Sequence, residues 1–125
     1  MTSQYLKYKQ QSVNSLTANE QLILLFEQAS VNISKAISFT QKKDIVGAHE
    51  SIIKTENIFY YLIDSLDMSF PISSNLLSLY NFIIDRLVQA NIRKDSDILT
   101  EVQSLTHQLR DTWKEADLIS RQGGT

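Results

Sequence analysis

Large apolar residues recur along this chain every three or four positions, broken by short polar stretches, and the pattern predicts four helices. The last is the simplest. Ile98, Val102, Leu105, Leu109, Trp113 and Ala116 fall on one line, and Glu101, Gln103, Ser104, Thr106, Gln108, Arg110 and Lys114 fill most of the remaining surface. One stripe predicts one buried face. Thr17-Ala18-Asn19-Glu20 has the form of a capping box, so a first helix is expected from about Ala18 to Lys42. Lys42 and Lys43 suit the exposed carbonyls at its end, and Asp44 suits the N-cap of a second helix from about Ile45 to Leu66. Asp67 to Pro71 ends that helix, and Ser73 or Ser74 caps a third from about Asn75 to Arg93. Arg93-Lys94 closes, Asp95-Ser96-Asp97 opens, and a fourth helix runs from about Ile98 to Leu118.

Links this short make neighbouring helices antiparallel. The expected fold is therefore all-α, an antiparallel four-helix bundle over 17–118, with an N-terminal arm or short helix over 1–16 and a flexible tail over 119–125.

Helices two and three carry more apolar surface than one face needs. In helix two, Ile45, Ala48, Ile52, Phe59, Leu62 and Leu66 form the central stripe, interrupted by Thr55. Val46, Ile53 and Tyr60 lie on one flank, and Ile58 and Tyr61 on the other. In helix three, Leu76, Tyr80, Ile83, Leu87 and Ala90 are central, with Leu77, Ile84 and Val88 on one flank and Leu79 and Phe82 on the other. The window Ser69 to Ile84 contains no charged side chain. A bundle helix touches two neighbours, so a wide apolar sector can be core. Apolar flanks on two helices, when the fourth has none, point instead to a binding surface. The natural ligand of a groove between helices is another amphipathic helix. Ile53, Tyr60, Leu77 and Ile84 are the expected groove residues. Tyr5, Leu6, Tyr8 and Val13 precede the first helix and suit an arm lying over such a groove.

Composition narrows the classes. The chain has 125 residues, one domain's worth, with three Gly and one Pro, which favours long helices. It has no Cys, which excludes a disulfide framework or thiolate metal site and fits a reducing compartment. The formal net charge is −2 with the signs mixed, so no basic patch points to nucleic acid. MTSQYLKYKQ lacks the apolar segment of a secretory signal, and no run is apolar enough for a membrane span.

Catalytic templates find no match. Of the two histidines, His49 precedes Glu50, and His107 stands one turn before Asp111 on the polar side of helix four, where a solvated pair is expected. No Glu-x-x-His or His-Glu-x-x-His occurs, nor a glycine-rich phosphate loop or nucleophile elbow. The expectation is no enzyme, no cofactor and no metal.

From about Tyr8 to Ala116 the chain resembles the flagellar secretion chaperone family, FliS. The matching pieces are Tyr8-Lys9-Gln10-Gln11-Ser12-Val13, Leu24-Leu25-Phe26, the segment Leu62 to Asp67, Asn75-Leu76-Leu77-Ser78-Leu79-Tyr80, the segment Leu87 to Asn91, and Leu109-Arg110-Asp111-Thr112-Trp113. No one piece is specific; their order and spacing are. The chain departs from the family in having Asn19 or Glu20 where Pro is common, and Phe26-Glu27-Gln28 where Tyr-Asp-Gly is common. The resemblance implies a helical bundle in the bacterial cytoplasm that binds the C-terminal segment of flagellin, keeps it unpolymerised and holds it ready for flagellar type III export. It implies a chain that is a monomer when free and binds its client one to one, and leaves room for contacts with the export apparatus or other flagellar assembly proteins. It also implies that the client wraps the bundle in apolar grooves, part of which the N-terminal arm can occupy. Tyr8, Gln11 and Val13 are then expected as arm or client contacts. The alternatives are a helical adaptor with a different amphipathic client, or a homodimer using the same patch.

Overall fold

The computed structural model describes residues 16–123. Four helices follow one another: α1 (Ala18–Gln41), α2 (Ile45–Asp64), α3 (Ile72–Arg93) and α4 (Ser96–Gly123). No strand occurs among the described residues. They form a four-helix bundle in which α1 packs along α2 on one side and α4 on the other, while α3 closes the ring against α2 and α4 through lighter seams.

The caps explain the boundaries. Glu20 N donates to Thr17 Oγ1 at 3.1 Å, which starts α1 as the capping pattern predicts. Gly47 N donates to Asp44 Oδ1 at 2.9 Å and starts α2. Asp95 accepts from the amides of Asp97 and Ile98 and starts α4. The two tight links are made by lysines in the left-handed region, Lys43 at φ 60° and Lys94 at φ 50°. Lys94 is held there by its own ammonium, whose Nζ donates to the backbone oxygen of Asn91 at 2.7 Å and also to its side-chain oxygen.

The start of α3 corrects the sequence reading. Pro71 occupies the N-cap position and the helix begins at Ile72, three residues early, with no side-chain cap. Proline's fixed φ suits an entering turn, so Pro71 opens α3, while α2 has already ended at Asp64 with Ser65 as its C-cap. Ser73 Oγ does not cap α3; it donates to the backbone oxygen of Asp67 and ties down the loop. α4 also runs past Leu118 to Gly123. Contacts with α1 hold this last turn: Asn19 Nδ2 donates to Asp117 Oδ1 at 3.2 Å and Arg121 pairs with Glu20 at 2.7 Å, while within α4 Arg121 also pairs with Asp117 at 3.1 Å.

The core is continuous. Phe26, Phe59 and Tyr80 meet at its centre, with ring centroids 6.5 Å apart for Phe26–Tyr80 and 5.9 Å for Phe59–Tyr80. Ile33, Ile52, Ile83, Leu87, Leu99 and Val102 surround them, all buried. Thr55, which interrupts the stripe of α2, is buried and satisfied because its hydroxyl donates to the Ser51 carbonyl at 2.9 Å. Ile45 and Ala116 sit in their predicted stripes but are exposed, Ile45 at 65 %. Ile45 is the first residue of α2, where the helix has not yet come under its neighbours.

Candidate partner-binding surface

The geometry of the α2/α3 seam follows from one contact. Asn91 Nδ2 on α3 donates to His49 Nδ1 on α2 at 2.9 Å, which fixes both the register and the faces that meet. The helices are antiparallel, so moving two turns along each from that pair brings Glu56 opposite Ile84, and two more bring Ile63 opposite Leu77. Val46, Ile53 and Tyr60 are spaced by seven, so they form one line on the outer side of His49. Leu77, Ile84 and Val88 lie on the outer side of α3 next to it. The two lines border one furrow on the outside of the bundle.

Exposure divides these residues. Val46 is 68 % exposed and Tyr60 50 %, with Val88 also exposed. Ile53 and Leu77 are half-buried. Ile84, expected in the groove with them, is only 6 % exposed and belongs to the core cluster. The reason is position: the register set by His49–Asn91 puts Ile84 against the middle of α2, so it forms the floor of the furrow and not its rim. Ile53, Tyr60 and Leu77 remain accessible together. Tyr8, Gln11 and Val13 lie outside the described residues.

Two features of this surface were not anticipated. The first is Glu56, between Ile53 and Tyr60 on α2. The residue is 8 % exposed, and no hydrogen bond or ion pair to its carboxylate forms among the described residues; its oxygens are not among the fully enclosed, partnerless atoms, so they open onto the furrow. Burial pushes its pKa up, and the nearby His49 pulls it part of the way back. The sequence carries a signal for it, a carboxylate three residues after Ile53 and four before Tyr60.

The second is an apolar pocket of about 250 Å³ at the end of the bundle, lined by Leu22, Leu62, Leu66, Phe70, Leu76 and Trp113. Tyr80 also reaches it; burial pushes the Tyr80 hydroxyl up to about 12, against a smaller opposing effect of Trp113. Met68, Phe70 and Ile72 stand exposed around this end. They occupy the start of the uncharged window and the loop before it, whose later residues Tyr80, Ile83 and Ile84 are core.

The histidines do no visible catalytic work. His107 is not paired with Asp111: its Nε2 shares a hydrogen bond with Ser30 Oγ on α1, and Asp111 accepts from Arg110 at 3.0 Å. Helix four's polar side is thus partly an interface with α1, which periodicity alone could not distinguish from solvent. Among the described residues no cluster of His, Asp and Glu has the makings of a metal site, and no helix is long and apolar enough to cross a membrane.

A family model described as "Flagellar protein FliS" matches residues 1–120. The chain is 33 % identical over 112 residues to the flagellar secretion chaperone FliS of Bacillus subtilis, covering 90 % of this chain and 84 % of that protein. It is 32 % identical over 107 residues to the flagellar secretion chaperone FliS of Salmonella typhimurium, covering 83 % of this chain and 79 % of that protein. It is 32 % identical over 108 residues to the one from Escherichia coli, covering 84 % and 79 % respectively.

Proposed function

The chain belongs to the FliS family of flagellar secretion chaperones, which are not enzymes, and from that membership we propose that its client is the C-terminal segment of flagellin. It works in the bacterial cytoplasm. It covers apolar surface that flagellin would otherwise use to polymerise, and it releases the client to the flagellar type III apparatus. The observation that best supports this is the furrow between α2 and α3, where Ile53, Tyr60 and Leu77 remain accessible on a folded bundle. The free chain is a monomer and takes one client. Tyr8, Gln11 and Val13 contribute as arm or client contacts.

The physical logic is exchange of apolar surface. A flagellin terminal segment is amphipathic and, unbound, presents its apolar face to water or to another copy. In the furrow each anchoring side chain contributes about 1.5–3 kcal/mol of burial, offset by the cost of ordering the segment. The end pocket has room for one further large side chain.

Calorimetric titration of the full chain with a flagellin C-terminal fragment tests this. One-to-one binding with a large negative heat-capacity change is expected. Absence of binding at high micromolar concentration, or a dimer mass for the free chain in light scattering with the furrow closed to ligand, overturns it.

A further inference from the structure

Glu56 is an unusual residue to find in an apolar furrow. It shares one line of α2 with His49, seven residues before it, and Ile63, seven after. His49 touches Asn91 on α3, so this line faces α3. Glu56 is thereby set against the hydrophobic floor at Ile84, between the two accessible furrow residues of its own helix, Ile53 and Tyr60. The part of α3 that faces it presents Tyr80, Ile84, Leu87 and Asn91, none of them ionised at neutral pH. Among the described residues His49, on the same helix, is the ionisable group that acts on it, and His49 already accepts from Asn91. A bundle whose only need here was packing would place an apolar residue at this position, because the surrounding apolar side chains disfavour the ionised carboxylate and no described residue donates to it.

We propose that Glu56 is a specificity-determining residue of the client furrow, and that it receives a lysine or arginine side chain of the bound segment. This rests on the client reading above. A cation on a long aliphatic stem suits the place. Its methylenes lie along Ile53 and Tyr60, while its charged end reaches the carboxylate that no described residue satisfies. An amphipathic segment with a cation at that register is selected over one that is merely apolar, because the apolar one leaves Glu56 buried and unpaired.

The test uses the full chain, Glu56→Gln and Glu56→Leu, with thermal unfolding of each and calorimetric titration with the flagellin C-terminal fragment. Both substitutions are expected to raise the melting temperature of the free protein at neutral pH, since each removes a carboxylate whose ionised form is disfavoured by burial. Both are expected to weaken client binding, by roughly ten- to a hundredfold. Replacing the fragment's lysines and arginines by methionine one at a time should reveal one whose loss weakens binding to the wild-type chain but adds nothing in Glu56→Gln. A melting temperature that falls in Glu56→Gln would show a partner for the carboxylate inside the chain and overturn the proposal. So would wild-type affinity, or tighter binding, in either variant while the wild-type chain binds normally; the client reading would then stand. If the wild-type chain itself binds no fragment, the client reading fails and this inference fails with it.

Discussion

The α1/α4 seam and the α2/α3 seam solve the same packing problem differently. Along α1/α4 the outer edge is closed by polar contacts. Gln103 Nε2 donates to the Ser30 carbonyl at 3.1 Å and to Ser34 Oγ at 2.6 Å, Ser30 bonds His107, Lys114 pairs with Glu27 at 3.1 Å, and Arg121 pairs with Glu20. Along α2/α3 the described cross-helix polar contact is His49–Asn91, and Val46, Ile53, Tyr60, Leu77 and Val88 run along the outer edge, with Glu50 and Lys54 beside Ile53 and Glu56 between Ile53 and Tyr60. The first seam is complete in itself. The second leaves apolar surface in water, although the same chain shows how such an edge can be closed. That contrast between the two edges is what supports the proposed client furrow.

The sharpest way to break the comparison is to charge the open edge. Ile53→Asp with Leu77→Asp should lower client affinity by more than about a hundredfold, since two anchors worth roughly 1.5–3 kcal/mol each are lost. Far-ultraviolet circular dichroism should remain that of the native bundle. Loss of helicity would mean that these side chains hold the fold together, and the distinction between the seams would collapse.

Ile84 sharpens the boundary between groove and core. Ile84→Ala should lower unfolding stability by about 2–5 kcal/mol in a denaturant titration, as for other fully buried aliphatic truncations. Ile53→Ala, at a half-buried site, should cost about 1 kcal/mol or less. Equal costs at the two positions would place Ile53 in the core as well.

That pair also shows what the sequence could and could not tell. Periodicity identified four helices and the excess apolar flanks of α2 and α3, because a spacing of three or four has only one regular interpretation. It could not separate Ile84 from Leu77, which lie seven residues apart on one line. Only the distance between helix axes along the seam decides which of them is covered. The entry into α3 was misread because Pro71 was treated as a breaker, while a proline at the start of a helix is compatible with it. His107 was assigned to solvent because the polar half of α4 has no internal mark showing which part meets α1. Glu56 is the mirror image: helical spacing places it beside Ile53 and Tyr60 but does not show how deeply α3 covers it.

A smaller effect is expected at the closed edge. Gln103→Ala removes the amide that bridges Ser30 and Ser34 and should cost about 1 kcal/mol, the usual net worth of such contacts. Client affinity should not change, because this seam is on the other side of α1 from α2. A parallel loss of affinity, measured by the same titration, would mean that the client reaches α4.

The last difference is electrostatic and should appear in the pH dependence of stability. The pKa of Glu56 lies above its ordinary 4.5 in the folded chain because of burial. The folded state therefore holds this proton more tightly than the unfolded state does. Its favourable contribution is complete below pH 4.5 and is lost as pH rises through the folded-state pKa. Asp67, in the α2–α3 loop, behaves oppositely. The side chain and amide of Ser69 hold its pKa below 3.8, so its contribution is present above that value and lost as pH falls through the folded one. Denaturation midpoints measured across the acidic range should show both limbs in the wild-type chain. Glu56→Gln should remove the decline above pH 4.5 and leave the decline below 3.8 in place. An unchanged upper limb would assign that titration to another group. Saturating client should have a related effect on the wild-type chain: a cation seated on Glu56 favours the ionised carboxylate, lowers its pKa, and makes client affinity rise with pH over the interval in which the free chain loses stability.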